Sequence, residues 1–478
     1  MKLQNKKIKS LLPVFVVVFF VLFLPGCKAA QKDTGAEAGS AHEIHYNTIV
    51  IDTHNDSLLN VVEAESLLPY FDIGQRVLMS QLDLPKMRDG GLDVAFFGAW
   101  TDDDINKNVP GNTILCLLNA LYWLEEKNQE SFGIAKTPKE MRDLYDSGKL
   151  AGVPAIEGGY SIKAHNYKEL LAQYKDLGVA YISLCWSTSN DIGEGVYECY
   201  VDATPSSGGL TALGASVVRE MNRLGIAVDV SHLNDATFWG VVEASSVPII
   251  ASHSNAWGVY KHMRNLKDDQ MLAIAKSGGV VHQNFFSGYL GPPGQQGLEN
   301  LIDMIDYTVK LIGIDHVGLG SDFDGGPMPF DLPNAMHYHK ITAELVERGY
   351  TRENIEKILG KNTLRVMQAI QDAAEAPVVG GEPLVITPDI VMGGMLKSRK
   401  PRLAAKVEGN QIDAARFRII VDGIAHVPAY DSGNGLLSVT LREPLPEKFH
   451  VVTFEGANTS GHITRETKIF YIDDEPSE

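Results

Sequence analysis

The chain has 478 residues, 44% of them apolar, which suits one large globular domain and a smaller one and excludes a disordered or fibrous protein. Its formal charge of −18 excludes the basic footprint of a nucleic-acid binder. Substrate charge stays open, because a local site can be cationic inside an acidic protein.

In chain order, residues 1–26 read as an export leader. Lys2, Lys6, Lys7 and Lys9 precede an apolar run from Leu11 to Leu24, shorter than the ~20 residues a membrane span needs. Leu24-Pro25-Gly26-Cys27 resembles a bacterial lipobox. That implies cleavage before Cys27, lipidation of its thiol and a lipid-anchored location in the cell envelope. Pro25 departs from the usual box, and an ordinary signal peptide or an uncleaved anchor is the alternative. Residues 27–43 read as a flexible tether, small, polar and charged from Lys28 to Gly39.

From residue 44 to 376 short apolar runs alternate with helical patterns. Candidate strands lie at 48–54, 92–98, 151–157, 179–184, 226–232, 247–253, 279–285 and 316–322. They are apolar throughout, as strands covered on both faces are. The helices between them carry start and stop signals: Thr137-Pro138, a stretch from Ala212 to Leu224 ending at Gly225, Asn234-Asp235 leading to Ala244, and Leu298 to Ile312 before Gly313. Eight such βα units predict a (β/α)8 TIM barrel rather than a doubly wound sheet. From 377 to 478 helical patterns vanish. After the linker Pro377-Val-Val-Gly-Gly-Glu-Pro383, short runs beginning at Arg416, Leu436, His450 and Lys468 predict a small antiparallel, immunoglobulin-like β-sandwich. Cys116, Cys185 and Cys199 have no metal-finger spacing, so a Cys185–Cys199 disulfide and buried thiols are both open.

Polar, metal-capable residues end five of the strand runs, where parallel barrels carry their active sites. His54 and Asp56 are two apart, so on a strand they face one side and suit zinc or a similar ion. Taken alone, Asp56-Ser57 is better read as a helix cap. Glu157 ends the third run before Gly158-Gly159. A carboxylate there can bridge two metals ~3.5–4 Å apart, or simply belong to a turn. His232 and His253 end consecutive strands, each preceded by a serine, and could hold a second metal. Asp322, in Gly320-Ser-Asp-Phe-Asp-Gly325, could take a proton from a metal-activated water and pass it to the leaving nitrogen. Asp324-Gly325 reads as turn chemistry, and a calcium loop lacks its remaining ligands.

Taken together, His54-x-Asp56, Glu157-Gly-Gly, Asp229-Val-Ser-His232, Ala251-Ser-His253-Ser and Gly320-Ser-Asp322 resemble the membrane (renal) dipeptidase family, peptidase family M19 of the amidohydrolase superfamily. Arg264-Asn-Leu266, Gly278-Gly-Val280 and Gly360-Lys-Asn-Thr-Leu-Arg-Val366 extend the resemblance over residues 47–370. It implies two zinc ions: His54 and Asp56 on the first, Glu157 bridging, His232 and His253 on the second. It also implies a metal-bridging hydroxide as nucleophile, Asp322 as proton shuttle and Arg264 on the free carboxylate of a dipeptide. The implied substrates are dipeptides, C-terminal D-residues included, and there is room for a homodimer. One position departs. The mammalian enzymes carry a substrate-contacting histidine after the fourth strand, where this chain has Trp186, with His282 and Asn190 as substitutes to consider. Two rivals follow: another dimetal amidohydrolase (deacylase, lactamase or lactonase), and a non-catalytic, surface-tethered binding lipoprotein that uses the sandwich.

Overall fold

The computed structural model describes residues 40–100, 109–196 and 208–473. The leader, Cys27 and most of the tether lie outside them, as does Cys199. No helix among the described residues is long and apolar enough to cross a membrane.

All eight apolar runs form parallel strands. They are β1 (Ile51–Asn55), β2 (Val94–Trp100), then, after an extra β3 (Phe132–Ile134), β4 (Leu150–Glu157), β5 (Tyr181–Ser183), β6 (Ala227–Asp229), β7 (Ile250–Ala251), β8 (Val280–Gln283) and β9 (Val317–Leu319). They pair in the order β1-β2-β4-β5-β6-β7-β8-β9, with β3 on the side of β4. A parallel bridge from Asn55 to Phe323 brings β1 back beside the end of β9, which makes the sheet a (β/α)8 barrel. β3 escaped the sequence reading because Phe-Gly-Ile is too short to show a period.

Successive strand residues face opposite ways. Ile51, Phe96, Ala155, Tyr181 and Val280 join one apolar cluster, closed at one end by Leu364, Val366 and Ile370 of helix Asn362–Asp372. Their neighbours Val50, Phe97, Ile156, Ile182 and Val281 pack instead with the surrounding helices. The expected helix signals hold. Thr137, Thr211 and Asn234 accept the backbone N–H three residues on, and Gly225 ends its helix at φ 67°. That left-handed stop is open to glycine at little cost.

The C-terminal region forms two sheets around one core. Strands β10 (Val385–Pro388), β11 (Gly394–Leu396), β12 (Arg402–Glu408), β13 (Ile412–Val421), β14 (Ile424–His426), β15 (Ala429–Asp431), β16 (Leu436–Thr440), β17 (Phe449–Asn458) and β18 (Ile463–Ile472) are ordered β10-β12-β16-β15 and β11-β18-β17-β13-β14. Leu403, Val407 and Leu437 of the first sheet share a cluster with Ile419, Phe454 and Phe470 of the second. One edge corrects the all-antiparallel expectation: β11 runs parallel to β18, pairing Gly394 with Phe470. Parallel neighbours need a long crossover, and here almost the whole sandwich supplies it.

The sandwich packs on the barrel. Every residue of β17 is buried, and Phe449, Val451 and Ile469 join the barrel's own apolar cluster. Gln173, on helix Tyr167–Asp176, fastens the seam. Its amide N–H groups reach Ile420 O (3.0 Å), Val451 O (3.3 Å) and Thr453 Oγ1 (3.1 Å), and its oxygen accepts from Gly423 N (2.8 Å). Gln173→Ala should therefore lower the stability of the whole chain by about 2 kcal/mol, read as a reduced urea midpoint.

Candidate metal centre

The ends of β1 and β9 are held together by backbone bonds: Asp56 N to Phe323 O (2.8 Å) and Asp322 N to His54 O (3.0 Å). Asp52 adds a side-chain clamp, its Oδ1 accepting from His54 N (3.1 Å) and Ser321 N (2.8 Å). This pairing puts Asp322 beside His54 although 268 positions separate them in the chain (322 − 54). Gly325 permits the approach, since a Cβ there would lie 2.3 Å from Asp56 Oδ2 and 2.5 Å from Asp322 Oδ1. His232 (φ 69°) and Asp322 (φ 67°) both adopt the left-handed backbone that non-glycine residues avoid. Such strain concentrates at functional sites. At His232 the carbonyl accepts from Val196 N at 2.8 Å.

Glu157 is the hub. Its Oε1 lies 2.8 Å from His232 Nε2 and 3.4 Å from His253 Nε2, and its Oε2 lies 3.4 Å from His54 Nε2. His232 Nε2 and His253 Nε2 are 2.9 Å apart, while Asp56 Oδ2 and Asp322 Oδ1 stand 3.7 and 3.9 Å from His54 Nε2. His54, Glu157 and His253 thus offer three ligand atoms within 4.8 Å of one another, and so do His54, Asp56 and Asp322. The six metal and shuttle candidates read from the sequence converge on one spot. Among the described residues, His54 Nε2 and Asp56 Oδ1 are buried with no hydrogen-bond partner. Orphaned ligand atoms in a buried set of three imidazoles and three carboxylates fit divalent metal.

The far side of each ring is held. His54 Nδ1 meets Tyr181 Oη (2.6 Å), His232 Nδ1 meets Ser187 Oγ (2.9 Å), and His253 Nδ1 meets Ser252 Oγ (2.7 Å). Ser252 also donates to Asp229 Oδ2 at 2.7 Å. Its single proton is spent on that carboxylate, so His253 Nδ1–H donates to Ser252 and leaves the Nε2 lone pair facing the centre. Burial, reinforced by Arg264, takes His232 down to about 3, and burial with His54 lowers His253. Burial opposes ionisation of Glu157, but His54 and His232 outweigh it and hold the carboxyl well below its usual range. Burial likewise opposes charge on His54 and is outweighed by Tyr181 and Glu157, which hold it well above the imidazole range. The cluster therefore presents neutral imidazoles and an ionised carboxylate on one side and calls for a positive charge on the other.

Arg264 and Trp186 flank this cluster. Arg264 is buried, with Nη2 donating to His253 O (3.4 Å), its guanidinium 5.5 Å from the Tyr289 ring, and Nε without a partner among the described residues. With His232, Leu233, Trp257 and Met263 it lines a cavity of about 310 Å³. The Trp186 ring lies 5.9 Å from that of His232 and 5.2 Å, edge-on, from Trp100. Two larger cavities, of about 1060 and 710 Å³, lie along the seam with the sandwich and contain none of these residues.

Neither substitute for the mammalian histidine faces the centre. His282 spends its nitrogens on Ala251 O (2.8 Å) and Thr363 Oγ1 (3.1 Å), while Asn190 ties its own turn through Leu184 O (2.7 Å) and Ile192 N (2.8 Å). Asp324 does more than turn the chain. Its carboxylate accepts from Ser57 Oγ (2.6 Å), Ser80 Oγ (2.9 Å) and Gln81 N (2.7 Å), anchoring the loop after β1. Sequence reasoning assigned no role to Trp100, Tyr181, Ser187, Asp229 or Asn284, the last of which donates to Asp322 Oδ2 at 2.9 Å. Asp229 carried a signal, a carboxylate inside an apolar run; the others did not. Cys116 is a buried thiol near Thr113 O (3.1 Å), and the Cys185–Cys199 pairing falls partly outside the described residues.

Residues 38–377 match the family model described as membrane dipeptidase, peptidase family M19. An uncharacterized dipeptidase of Schizosaccharomyces pombe is 32% identical over 341 residues, 68% of this chain and 81% of that protein. The solved structure of dipeptidase AC, a family M19 metallopeptidase, is 28% identical, covers 69% of this chain and 99% of its own, and superposes with a TM-score of 0.61. A metallopeptidase from Rhodobacter sphaeroides, bound to a phosphinate mimic of the dipeptide L-Ala-D-Ala, is 28% identical over 68% of this chain and 99% of that one, with a TM-score of 0.60.

Proposed function

The chain belongs to the membrane dipeptidase family, peptidase family M19, and on that premise we propose a zinc-dependent hydrolase of dipeptides, those with a C-terminal D-residue included. The observation that carries this reading is the convergence of His54, Glu157 and His253 ligand atoms within 4.8 Å. The phosphinate L-Ala-D-Ala mimic bound by the Rhodobacter sphaeroides neighbour supports the substrate class.

In this reading His54 and Asp56 would hold one ion, His232 and His253 would hold a second, and Glu157 would serve both. Two zinc ions, when bound, supply a water that ionises near neutral pH and polarise the peptide carbonyl. The chain's own residues do the rest. Asp322 takes the proton of the attacking water and returns it to the departing amine, while Asn284 keeps its carboxylate oriented. Arg264 binds the free carboxylate, for which its planar fork is suited. Tyr181, Ser187 and Ser252 keep the imidazole Nε2 atoms turned inward.

Arg264→Lys should raise KM roughly 10-fold to 100-fold with little change in kcat, since it weakens ground-state and transition-state binding alike. C-terminal amidation of the substrate should harm the unaltered enzyme and barely affect the variant.

The decisive experiment measures amino acids released from L-L, L-D and Gly-D dipeptides, with bound metal counted in parallel. Chelator-sensitive turnover supports the proposal. A second reading rests on Trp186 lying against His232, where the mammalian enzymes have a histidine: another amidohydrolase acting on acylated amines, lactams or lactones. Two bound metals with no dipeptide turnover would favour it. We further propose export and lipid anchoring through Cys27, on the strength of residues 1–27. Cys27→Ala should then move the protein from the membrane fraction to the soluble one.

A further inference from the structure

Trp100 is the last residue of β2 and pairs directly with Glu157, the last of β4. Directly paired residues of a parallel sheet project from the same face. Glu157 projects into the barrel mouth, where its carboxylate meets all three ligand histidines. Gly98, two residues before Trp100 and on the same face, confirms the direction: a Cβ there would lie 3.0 Å from His54 Cε1. Trp100 therefore stands one layer above the His54 ring, on the rim of the metal cluster. Its ring meets Trp186 edge-on at 5.2 Å, and Trp186 in turn lies 5.9 Å from His232. The two indoles form one wall of the mouth.

That wall holds an unused donor. Trp100 Nε1 is a buried atom with no acceptor among the described residues. An indole N–H can only donate, and leaving it buried without an acceptor is unfavourable. A dipeptide brings two acceptor groups to this mouth, its C-terminal carboxylate and its peptide carbonyl. Arg264 lies in the segment after β7, four strands from β2 in the barrel order and so across the mouth, and it suits the carboxylate. The carbonyl oxygen remains for the indole.

We propose that Trp100 donates its indole N–H to the oxygen of the scissile carbonyl, a substrate contact made from the strand before the bridging glutamate. This rests on the dipeptidase reading above. A neutral donor aimed at an oxygen that gains negative charge in the transition state acts mainly on kcat. It also answers what stands in for the substrate-contacting histidine that the mammalian enzymes place after the fourth strand: a donor from a different strand, which a position-by-position reading does not reveal.

Trp100→Phe keeps the ring and deletes only the N–H. With metal content unchanged, kcat for the best dipeptide should fall on the order of 10-fold or more, with KM nearly constant. Affinity for a phosphinate dipeptide mimic, whose oxygens imitate the charged oxygen of the transition state, should fall by the same factor as kcat/KM. Trp186→Phe should cost less in kcat than Trp100→Phe. A kcat for Trp100→Phe within about twofold of the unaltered enzyme would overturn the proposal. So would a loss in KM alone, or a larger kcat loss from Trp186→Phe. If the unaltered enzyme hydrolyses no dipeptide, the underlying functional reading fails instead, and the two failures are distinct.

Discussion

Glu157→Ala is expected to bring dipeptide hydrolysis down by on the order of 10⁴-fold or more, and to strip metal from the protein at the same time. The reason is geometric. Among the described residues, Glu157 carries the only carboxylate within hydrogen-bonding or ion-pair reach of His54, His232 and His253 together, at 2.8 to 3.4 Å. Without it the two halves of the cluster lose their common anion, and three buried imidazoles face one another with no negative charge between them. His232 Nε2 and His253 Nε2 already stand 2.9 Å apart, so any cation bound there depends on the carboxylate to offset its charge. Glu157→Gln separates charge from shape, because the amide fills the same space and keeps one oxygen. It should lose metal nearly as completely as alanine does. Elemental analysis of the dialysed variants, beside turnover, is the check. Activity with full metal in Glu157→Gln would contradict the bridging role.

Asp322→Asn is expected to reduce kcat by roughly 10²-fold to 10⁴-fold while metal content and KM stay close to those of the unaltered protein. Asparagine is the informative substitution here. Asp322 holds φ at 67°, a conformation asparagine tolerates and alanine does not. The amide oxygen can still accept from Asn284 Nδ2, which lies 2.9 Å from Asp322 Oδ2. What disappears is the basic oxygen that takes up a proton. Asp322 Oδ1 is 3.9 Å from His54 Nε2, against 3.4 Å for Glu157 Oε2, which makes it the more peripheral carboxylate. Loss of metal along with kcat would instead place Asp322 among the ligands, beside His54 and Asp56.

Much of the centre was legible because its logic is local. A parallel barrel carries its chemistry where strands end, and each of His54, Glu157, His232, His253 and Asp322 follows an apolar run. The i, i+2 relation put His54 and Asp56 on one side before any tertiary contact was known. Export and lipidation stay a matter of sequence, since Cys27 lies outside the described residues.

The supporting residues were not legible, because each depends on a contact between distant parts of the chain. Tyr181 Oη reaches His54 across 127 positions, and Asn284 reaches Asp322 across 38. Nothing beside Tyr181 or Asn284 in the sequence distinguishes them from ordinary inward-facing polar residues. Gln173 looks like any polar helix residue, yet it bonds to chain segments about 250 positions away and fastens the sandwich to the barrel. The parallel edge of β11 on β18 follows from which strand ends up beside which, and a single run of residues does not encode its neighbour.

The sequence by itself thus determined the fold class and the strand ends that carry the candidate ligands of a divalent metal, because periodicity and residue chemistry act over a few positions. Only the tertiary structure decided which way each imidazole presents its lone pair, that Arg264 and Trp186 flank one cluster, and that Trp100 stands beside Glu157 with an indole N–H that has no acceptor among the described residues. Those depend on barrel closure, which brings residues hundreds of positions apart within hydrogen-bonding distance.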